Sequence, residues 1–289
     1  MSPTGSPTLR RRRLAAELRE LRQLADVNGV QVAKDLGWST SKISRLENGQ
    51  VVPSEADVRA LVRRYDVDSE KAGLLLDLAH DAAGKGWWEA YADILPEPLI
   101  TYFGLEAGAE RIRCWQATVV PGLLQTRDYA MAVSSIYQPL DALSPGEVER
   151  RTRVRMRRQQ RLFEDPDVRL AVVIDEAVLL RRYGDEHVMR EQLRHLVELA
   201  ELPNVTLQVL PFKAVHPADW SNFVLLGFPE VAGLGPLYRD VVYSETFDSH
   251  SLSEEERITY KYSVAFDSLT KVSLDPDDSR ALIAEHARR

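Results

Sequence analysis

Residues 28–53 read NGVQVAKDLGWSTSKISRLENGQVVP, and this stretch decides the fold of the N-terminal part of the chain. Two pairs of apolar residues flank Gly37, which is the spacing of two short helices joined by a tight turn. Asn28 and Ser39 each stand where an N-cap begins a helix, and Gln31 has capping-box spacing from Asn28. Gly37 suits the left-handed backbone of a sharp helix end. The stretch therefore predicts a helix-turn-helix.

The second helix of this motif has one apolar face and one polar face. We expect Ile43 and Leu46 to face the core, as Ala33 and Leu36 do from the first helix. Short hydroxyl side chains, a lysine and an arginine near a helix N-terminus suit the major groove of DNA. The alternative is an ordinary helical hairpin with a solvated polar face. The residues predicted to contact DNA are Ser39, Thr40, Ser41, Lys42, Ser44, Arg45 and Asn48.

The pattern S-x-S-x-I-S-R-L-E-x-G, at residues 39–49, resembles the lambda-repressor-like (Xre-type) helix-turn-helix. The resemblance implies a five-helix domain whose second motif helix enters the major groove. It also implies a homodimer that reads two half-sites one helical turn apart. In the family, an arginine late in the first helix pairs with the glutamate that ends the recognition helix, here Arg22 and Glu47. Gly29 departs from the family, which usually has glutamine there, and this puts one DNA contact in doubt.

Helical signals flank the motif on both sides. Leucines at helical spacing predict a first helix over residues 9–25, and four arginines at 10–13 precede or open it. Those arginines are either a solvated charge run or a phosphate contact. Ser54 and Asp57 form a capping box for a fourth helix, and Asp68 or Ser69 starts a fifth. We therefore predict a disordered tail at 1–8, an all-α helix-turn-helix domain at 9–82, and a second domain at 83–289.

The composition restricts the class of protein. The 289 residues carry a net charge of −7, whereas the segment from residue 8 to 51 is locally basic, which fits DNA binding by one domain only. The single cysteine excludes an internal disulfide and favours a reducing compartment. No apolar run approaches membrane-spanning length, and the first residues lack the apolar core of a signal peptide. We expect a cytoplasmic protein.

The second domain is predicted to be α+β, with a small sheet flanked by helices. Strands are predicted at residues 168–174, 204–210, 223–228 and 240–244, and helices at 147–163, 177–182, 187–202, 253–271 and 276–286. Aromatic residues cluster from Trp87 onward, and they indicate a core or, alternatively, a ligand pocket or dimer interface. Residues 86–115, together with VPGLLQT at 120–126, resemble the C-terminal domain of unknown function found beside Xre-type motifs in actinomycete regulators.

The helix predicted at 147–163 is strongly basic. Its arginines are either a solvated, salt-bridged face or a landing surface for an acidic protein or for DNA backbone. The resemblance favours a protein, because such regulators are often encoded beside a small acidic partner. The residues that would bind this partner are Arg150, Arg153, Arg157 and Arg161.

No catalytic constellation is evident in the sequence. His187, Glu191 and His195 share one helix face, but their spacing is not that of a zinc protease and no further ligand cluster accompanies them. Asp175 and Glu176 follow a strand end, where a helix cap is their plainer role. We therefore expect no enzyme activity, no metal and no cofactor.

These observations lead to one main interpretation and two alternatives. The chain is interpreted as a sequence-specific regulator that binds double-stranded DNA, and its second domain senses a small-molecule effector or protein partner or forms a homodimer. The first alternative is an antitoxin-like regulator whose second domain binds a small acidic protein. The second alternative is an enzyme under the control of a helix-turn-helix.

Overall fold

The computed structural model describes residues 6–140, 143–217, 220–231, 235–246 and 249–288. Its helices are α1 (Pro7–Leu24), α2 (Gly29–Leu36), α3 (Thr40–Glu47), α4 (Glu55–Arg64), α5 (Ser69–Ala82), α6 (Glu97–Glu106), α7 (Arg127–Tyr137), α8 (Pro145–Glu164), α9 (Ala177–Leu180), α10 (Glu186–Leu199), α11 (Glu256–Val272) and α12 (Pro276–Arg288). Its strands are β1 (Arg111–Gln116), β2 (Arg169–Asp175), β3 (Val205–Leu210), β4 (Phe223–Gly227), β5 (Glu230–Val231), β6 (Gly235–Pro236), β7 (Val241–Glu245) and β8 (His250–Ser253).

The chain forms two compact units. Unit 1 contains the residues up to Glu89 together with Phe228–Tyr238, a segment that carries the hairpin of β5 and β6. Unit 2 contains Ala90–Gly227 and the residues from Arg239 onward. The domain boundary predicted at residue 82 stays a prediction.

Unit 1 holds the five predicted helices. α1 begins at Pro7 rather than at Leu9, because Ser6 caps it by accepting the amide hydrogen of Leu9. The helix therefore takes in Pro7 and Thr8 of the predicted tail, and residues 1–5 lie outside the described residues. The capping box of Ser54 and Asp57 and the cap by Asp68 are both formed, as predicted.

The two predicted apolar pairs of the motif are not equally buried. Ala33, Ile43 and Leu46 are buried, at 2%, 3% and 1% exposure, whereas Leu36 lies only partly in the core. Val32 is fully buried. Leu36 is the last residue of α2 and lies one turn after Val32 on the same face of the helix, so the predicted apolar face is the one that packs on the core.

Unit 2 is built on a six-stranded mixed sheet of order β3-β2-β1-β4-β7-β8. β1, β2 and β3 run parallel, as strands joined by helical crossovers do, and β4, β7 and β8 pair antiparallel. α11 lies against the sheet, and Phe266 and Leu269 pack there on Trp115 and Phe223. α12 packs on α10 and beside β3. The predicted fold class, an all-α helix-turn-helix domain followed by an α+β domain, is confirmed.

One error in the predicted elements lies before α11. The predicted helix began at Ser253 with a capping box, but Ser253 is the last residue of β8 and pairs with Val242 of β7. α11 begins only at Glu256, after Glu255, and has no side-chain cap. Ser253 thus pairs with β7 and does not act as the helix cap that the local spacing predicts. In the part of the chain that the structure describes, no helix combines the length and the apolar character needed to cross a membrane.

Candidate nucleic-acid interface

Three local features fix the motif formed by α2, the turn and α3. The Asn28 side chain accepts the amide hydrogen of Gln31 at 2.9 Å, and the Ser39 hydroxyl accepts that of Lys42 at 3.1 Å. Gly37 has φ +67°, the left-handed region that glycine enters without strain. The Gln31 side chain does not close a capping box but donates to Asp35. These contacts hold the two helices in the predicted helix-turn-helix.

α3 presents a polar face opposite its buried face. Thr40, Ser41, Ser44 and Arg45 are exposed there. The Arg45 side chain makes no hydrogen bond or ion pair with any residue that the structure describes. An exposed guanidinium beside short hydroxyls can donate to base edges or to phosphate oxygens without first breaking an internal contact.

Lys42 lies differently from the other residues predicted to contact DNA. Its ammonium nitrogen is 2.6 Å from a carboxylate oxygen of Asp57 and 3.7 Å from the centre of the Trp38 ring. Burial alone would raise the pKa of Asp57, but hydrogen bonds from Lys42 and Ser54 lower it below its ordinary value. The structure therefore ties Lys42 to the start of α4, contrary to its expected outward orientation.

Asn48 and Ser44 belong to a chain of hydrogen bonds that the sequence did not indicate. The Asn48 amide donates to the Ser44 hydroxyl at 3.2 Å, and its oxygen accepts from Arg19 at 2.5 Å. Arg19 also donates to the backbone oxygen of Glu47 at 2.8 Å. Arg19 thus anchors the C-terminal end of α3. The sequence signal for this role of Arg19 is its position on α1, one turn before Arg22.

Arg22 and Glu47 form the pair that the family resemblance implies. The guanidinium donates to both carboxylate oxygens, at 2.7 and 2.9 Å, and to the backbone oxygen of Val27 at 3.0 Å. The hydrogen bond with Glu47 raises the pKa of Arg22 above its ordinary value. This bidentate pair joins α1 to α3 and fixes the angle at which α3 is presented.

The arginine run at 10–13 lies inside α1. Arg10 pairs with Asp81, and Arg13 pairs with Glu17 at 2.5 Å. Arg11 donates to the backbone oxygens of Ala82 and Gly84, at 2.9 and 2.7 Å. These three side chains stabilise unit 1 internally, which matches neither of the two roles considered for the run.

The basic helix of unit 2, α8, divides its arginines between the interior and the surface. Arg150 donates to both carboxylate oxygens of Asp93, at 2.6 and 2.8 Å, and Arg161 donates to Asp165 and to the backbone oxygen of Glu106. Arg153 is exposed and lies 4.0 Å from Glu149. Arg157 is also exposed. Of the four residues predicted to bind a partner, two therefore lie mainly on the surface.

A buried ion pair next to these residues was not predicted. Arg158 donates to the two carboxylate oxygens of Glu106 at 2.7 and 2.6 Å, and the Tyr102 hydroxyl donates to the same group at 2.6 Å. The two charged side chains are only 10% and 6% exposed. Burial would lower the pKa of Arg158, but the charge of Glu106 and its hydrogen bonds raise it. The pair joins α6 to α8 inside unit 2.

The residues considered for chemistry have separate partners. Glu191 pairs with Arg194 at 2.6 Å, and His195 lies 3.8 Å from Glu198. Burial lowers the pKa of His195 below its ordinary value. Asp175 accepts the amide hydrogen of Ala177, the first residue of α9. Among the described residues, no group of three or more histidine, cysteine, aspartate or glutamate side chains is arranged to hold a metal.

Two family models match the chain. The model described as "Helix-turn-helix domain" matches residues 13–75, and the one described as "Domain of unknown function (DUF5753)" matches residues 99–285. No curated protein and no solved structure matches significantly. The first match supports a DNA-binding regulator. The two matches confirm a helix-turn-helix followed by a domain of unknown function. Because the second match covers more than half of the chain, the chain belongs to the family of the domain of unknown function DUF5753.

Proposed function

We propose that this protein is a cytoplasmic transcriptional regulator of the Xre type that binds specific DNA sequences as a homodimer. The observation that carries the proposal is the exposed polar face of α3, where the Arg45 side chain has no partner among the described residues. The bidentate pair of Arg22 and Glu47 supports the Xre assignment, because it is the ion pair between the first helix and the recognition helix that the resemblance implies.

In this proposal α3 enters the major groove, and Arg45 donates to a guanine edge or a neighbouring phosphate. Ser39, Thr40, Ser41 and Ser44 offer hydroxyl groups to phosphates and bases at the start of the helix. Asn48 orients Ser44 through their hydrogen bond and reaches DNA only if its contact with Arg19 opens. Lys42 reaches a phosphate only if its ion pair with Asp57 opens, since Asp57 offsets its charge. A dimer would place two such helices one helical turn of DNA apart.

Replacing Arg45 by Ala is expected to weaken binding to a preferred site by about 1–3 kcal/mol, the cost of losing a bidentate base contact. The measurement is a titration of the full chain with double-stranded DNA sites enriched from a random library, compared with scrambled duplexes of the same length. The preference for the enriched sites should fall along with the affinity.

The matched control is Arg45→Lys, which keeps the positive charge but removes the fork that binds two acceptors. It should bind scrambled DNA like the parent, with the same salt dependence, and still lose part of the preference. If Arg45→Ala and Arg45→Lys both bind enriched sites as tightly as the parent, α3 is not the reading helix.

We infer that unit 2 is regulatory and not catalytic, and that α8 supplies a surface for an acidic protein partner, as in the antitoxin-like alternative. The specific support is the exposure of Arg153 and Arg157 on one helix. Charged residues at the rim of an interface mainly accelerate association, and salt screens this attraction.

Reversing the charge of both Arg153 and Arg157 to Glu is therefore expected to slow association with an acidic partner at least severalfold at low salt. The measurement compares proteins captured from host lysate by the parent and by the double variant, followed by association rates for any protein that only the parent captures. The control is the reversal of Arg194 and Arg257, which are exposed elsewhere on unit 2. Identical captured sets for all three proteins would leave α8 as a solvated face.

A further inference from the structure

A groove lies in unit 2 between α9, the first turns of α10 and the last turn of α12. It encloses about 260 Å³. Its apolar lining includes Leu179, Met189, Leu193 and Ala287, each of which is at most 7% exposed. This volume is slightly below the range of pockets for drug-sized ligands, so it suits a smaller molecule.

The charged rim of the groove has an excess of positive charge. Arg182 and Arg190 line it together with Glu186 and His286. The carboxylate of Glu186 lies 3.5 Å from the guanidinium of Arg182, so these two charges offset each other. The side chain of Arg190 is half-buried and makes no hydrogen bond or ion pair within the described part of the chain. A guanidinium in this position has donors that a ligand carboxylate can accept from without breaking an internal contact.

The groove is formed by helices that are close in sequence to the parallel strands. α9 follows the carboxyl end of β2 directly, and β2 is the central strand of the three parallel ones. α9 contributes Leu179 and Leu180 to the lining, so the helix that follows β2 forms one wall of the groove.

We propose that this groove binds a small amphipathic carboxylate, with its apolar chain or ring on the buried side chains and its carboxylate on Arg190. One unpaired guanidinium balances one negative charge, which favours a monoanion over a phosphate ester. The apolar side chains of the lining disfavour a fully polar anion, because part of such a ligand would be desolvated without compensating contacts. Nothing in the proposal depends on DNA binding by unit 1.

The test follows the methyl groups of methionine by NMR in the full chain, with octanoate as the probe. Met189 lines the groove, whereas Met131 and Met156 do not, so the latter two report whether the fold is intact. Met189→Leu, a volume-conserving change, assigns the signal. Octanoate should shift the Met189 signal saturably, and 1-octanol and octylamine should bind about tenfold more weakly or worse.

Arg190→Gln should weaken octanoate binding about tenfold, the loss expected for removing a charge-assisted hydrogen bond. The matched control is Arg194→Gln, one turn along α10, where the arginine pairs with Glu191 outside the groove. It should change octanoate binding less than twofold.

Three results with octanoate and its analogues would each overturn the proposal. The Met189 signal could stay unmoved at millimolar octanoate, octanol could bind as tightly as octanoate, or the two arginine variants could weaken binding equally. A Met189 signal that responds to an acidic helical peptide and not to octanoate would also overturn it, and would assign the groove to a protein partner.

Discussion

Glu106→Gln is expected to destabilise unit 2 by about 3–5 kcal/mol, because it leaves the Arg158 guanidinium buried without a counter-charge. In the parent, both charged side chains are almost inaccessible, and Arg158 also lies 4.3 Å above the Phe103 ring. The carboxylate accepts three hydrogen bonds, from Arg158 twice and from Tyr102 once. The measurement is hydrogen exchange of β1 and β2 amides in the full chain, which reports unfolding of unit 2 separately from unit 1.

Two comparisons separate loss of the ion pair from a general effect of substitution. The double variant Glu106→Leu with Arg158→Met contains no buried charge, so it should recover most of the lost stability. Glu149→Gln removes a partner of Arg127 in a pair that is 51% and 36% exposed, and it should cost less than about 1 kcal/mol. If Glu106→Gln costs no more than Glu149→Gln, the buried pair does not stabilise unit 2.

The helix-turn-helix could be predicted because its determinants are local. The caps at Asn28 and Ser39, the left-handed Gly37 and the burial of Ile43 and Leu46 each depend on residues a few positions apart. Such signals can be recognised in one stretch of sequence.

The contacts that modify the candidate interface could not be predicted in this way. Lys42 reaches Asp57, and Arg19 reaches Asn48, across turns whose geometry the spacing of residues does not reveal. The same holds for Arg158, which is 52 positions from Glu106. The groove of unit 2 needs three helices that only the folded chain brings together.

The strands of unit 2 were predicted only where the sequence is continuously apolar or alternates clearly between apolar and polar residues. β2 and β3 satisfy this condition, and both were predicted within one residue of their observed bounds. β1 reads RIRCWQ, and no strand was predicted there, although it lies between β2 and β4 in the centre of the sheet. Its two arginines extend to polar partners, Arg111 to Asp240 and Arg113 to Ser263, so a charged sequence occupies a central strand.

α3 presents its polar face outward because its opposite face is buried in unit 1. Leu46→Ala, a substitution in that buried face, is expected to destabilise unit 1 by about 2–5 kcal/mol. Leu46 is 1% exposed on α3, a helix that packs against α1, so its truncation leaves a cavity in the core. The measurement is hydrogen exchange of α1 and α3 amides in the full chain, because unit 1 includes Phe228–Tyr238 as well as the N-terminal helices.

The matched control for Leu46→Ala is Leu24→Ala, the same chemical change at a leucine that is 74% exposed at the end of α1. It should change stability by less than about 0.5 kcal/mol. Specific DNA binding should then fall in Leu46→Ala in proportion to the fraction of unit 1 that is unfolded, while the site preference of the folded fraction stays that of the parent. Equal effects of the two leucine substitutions would mean that α3 does not bury Leu46. In that case the helix would present a different face outward, and Arg45 would no longer lie where a base could be read.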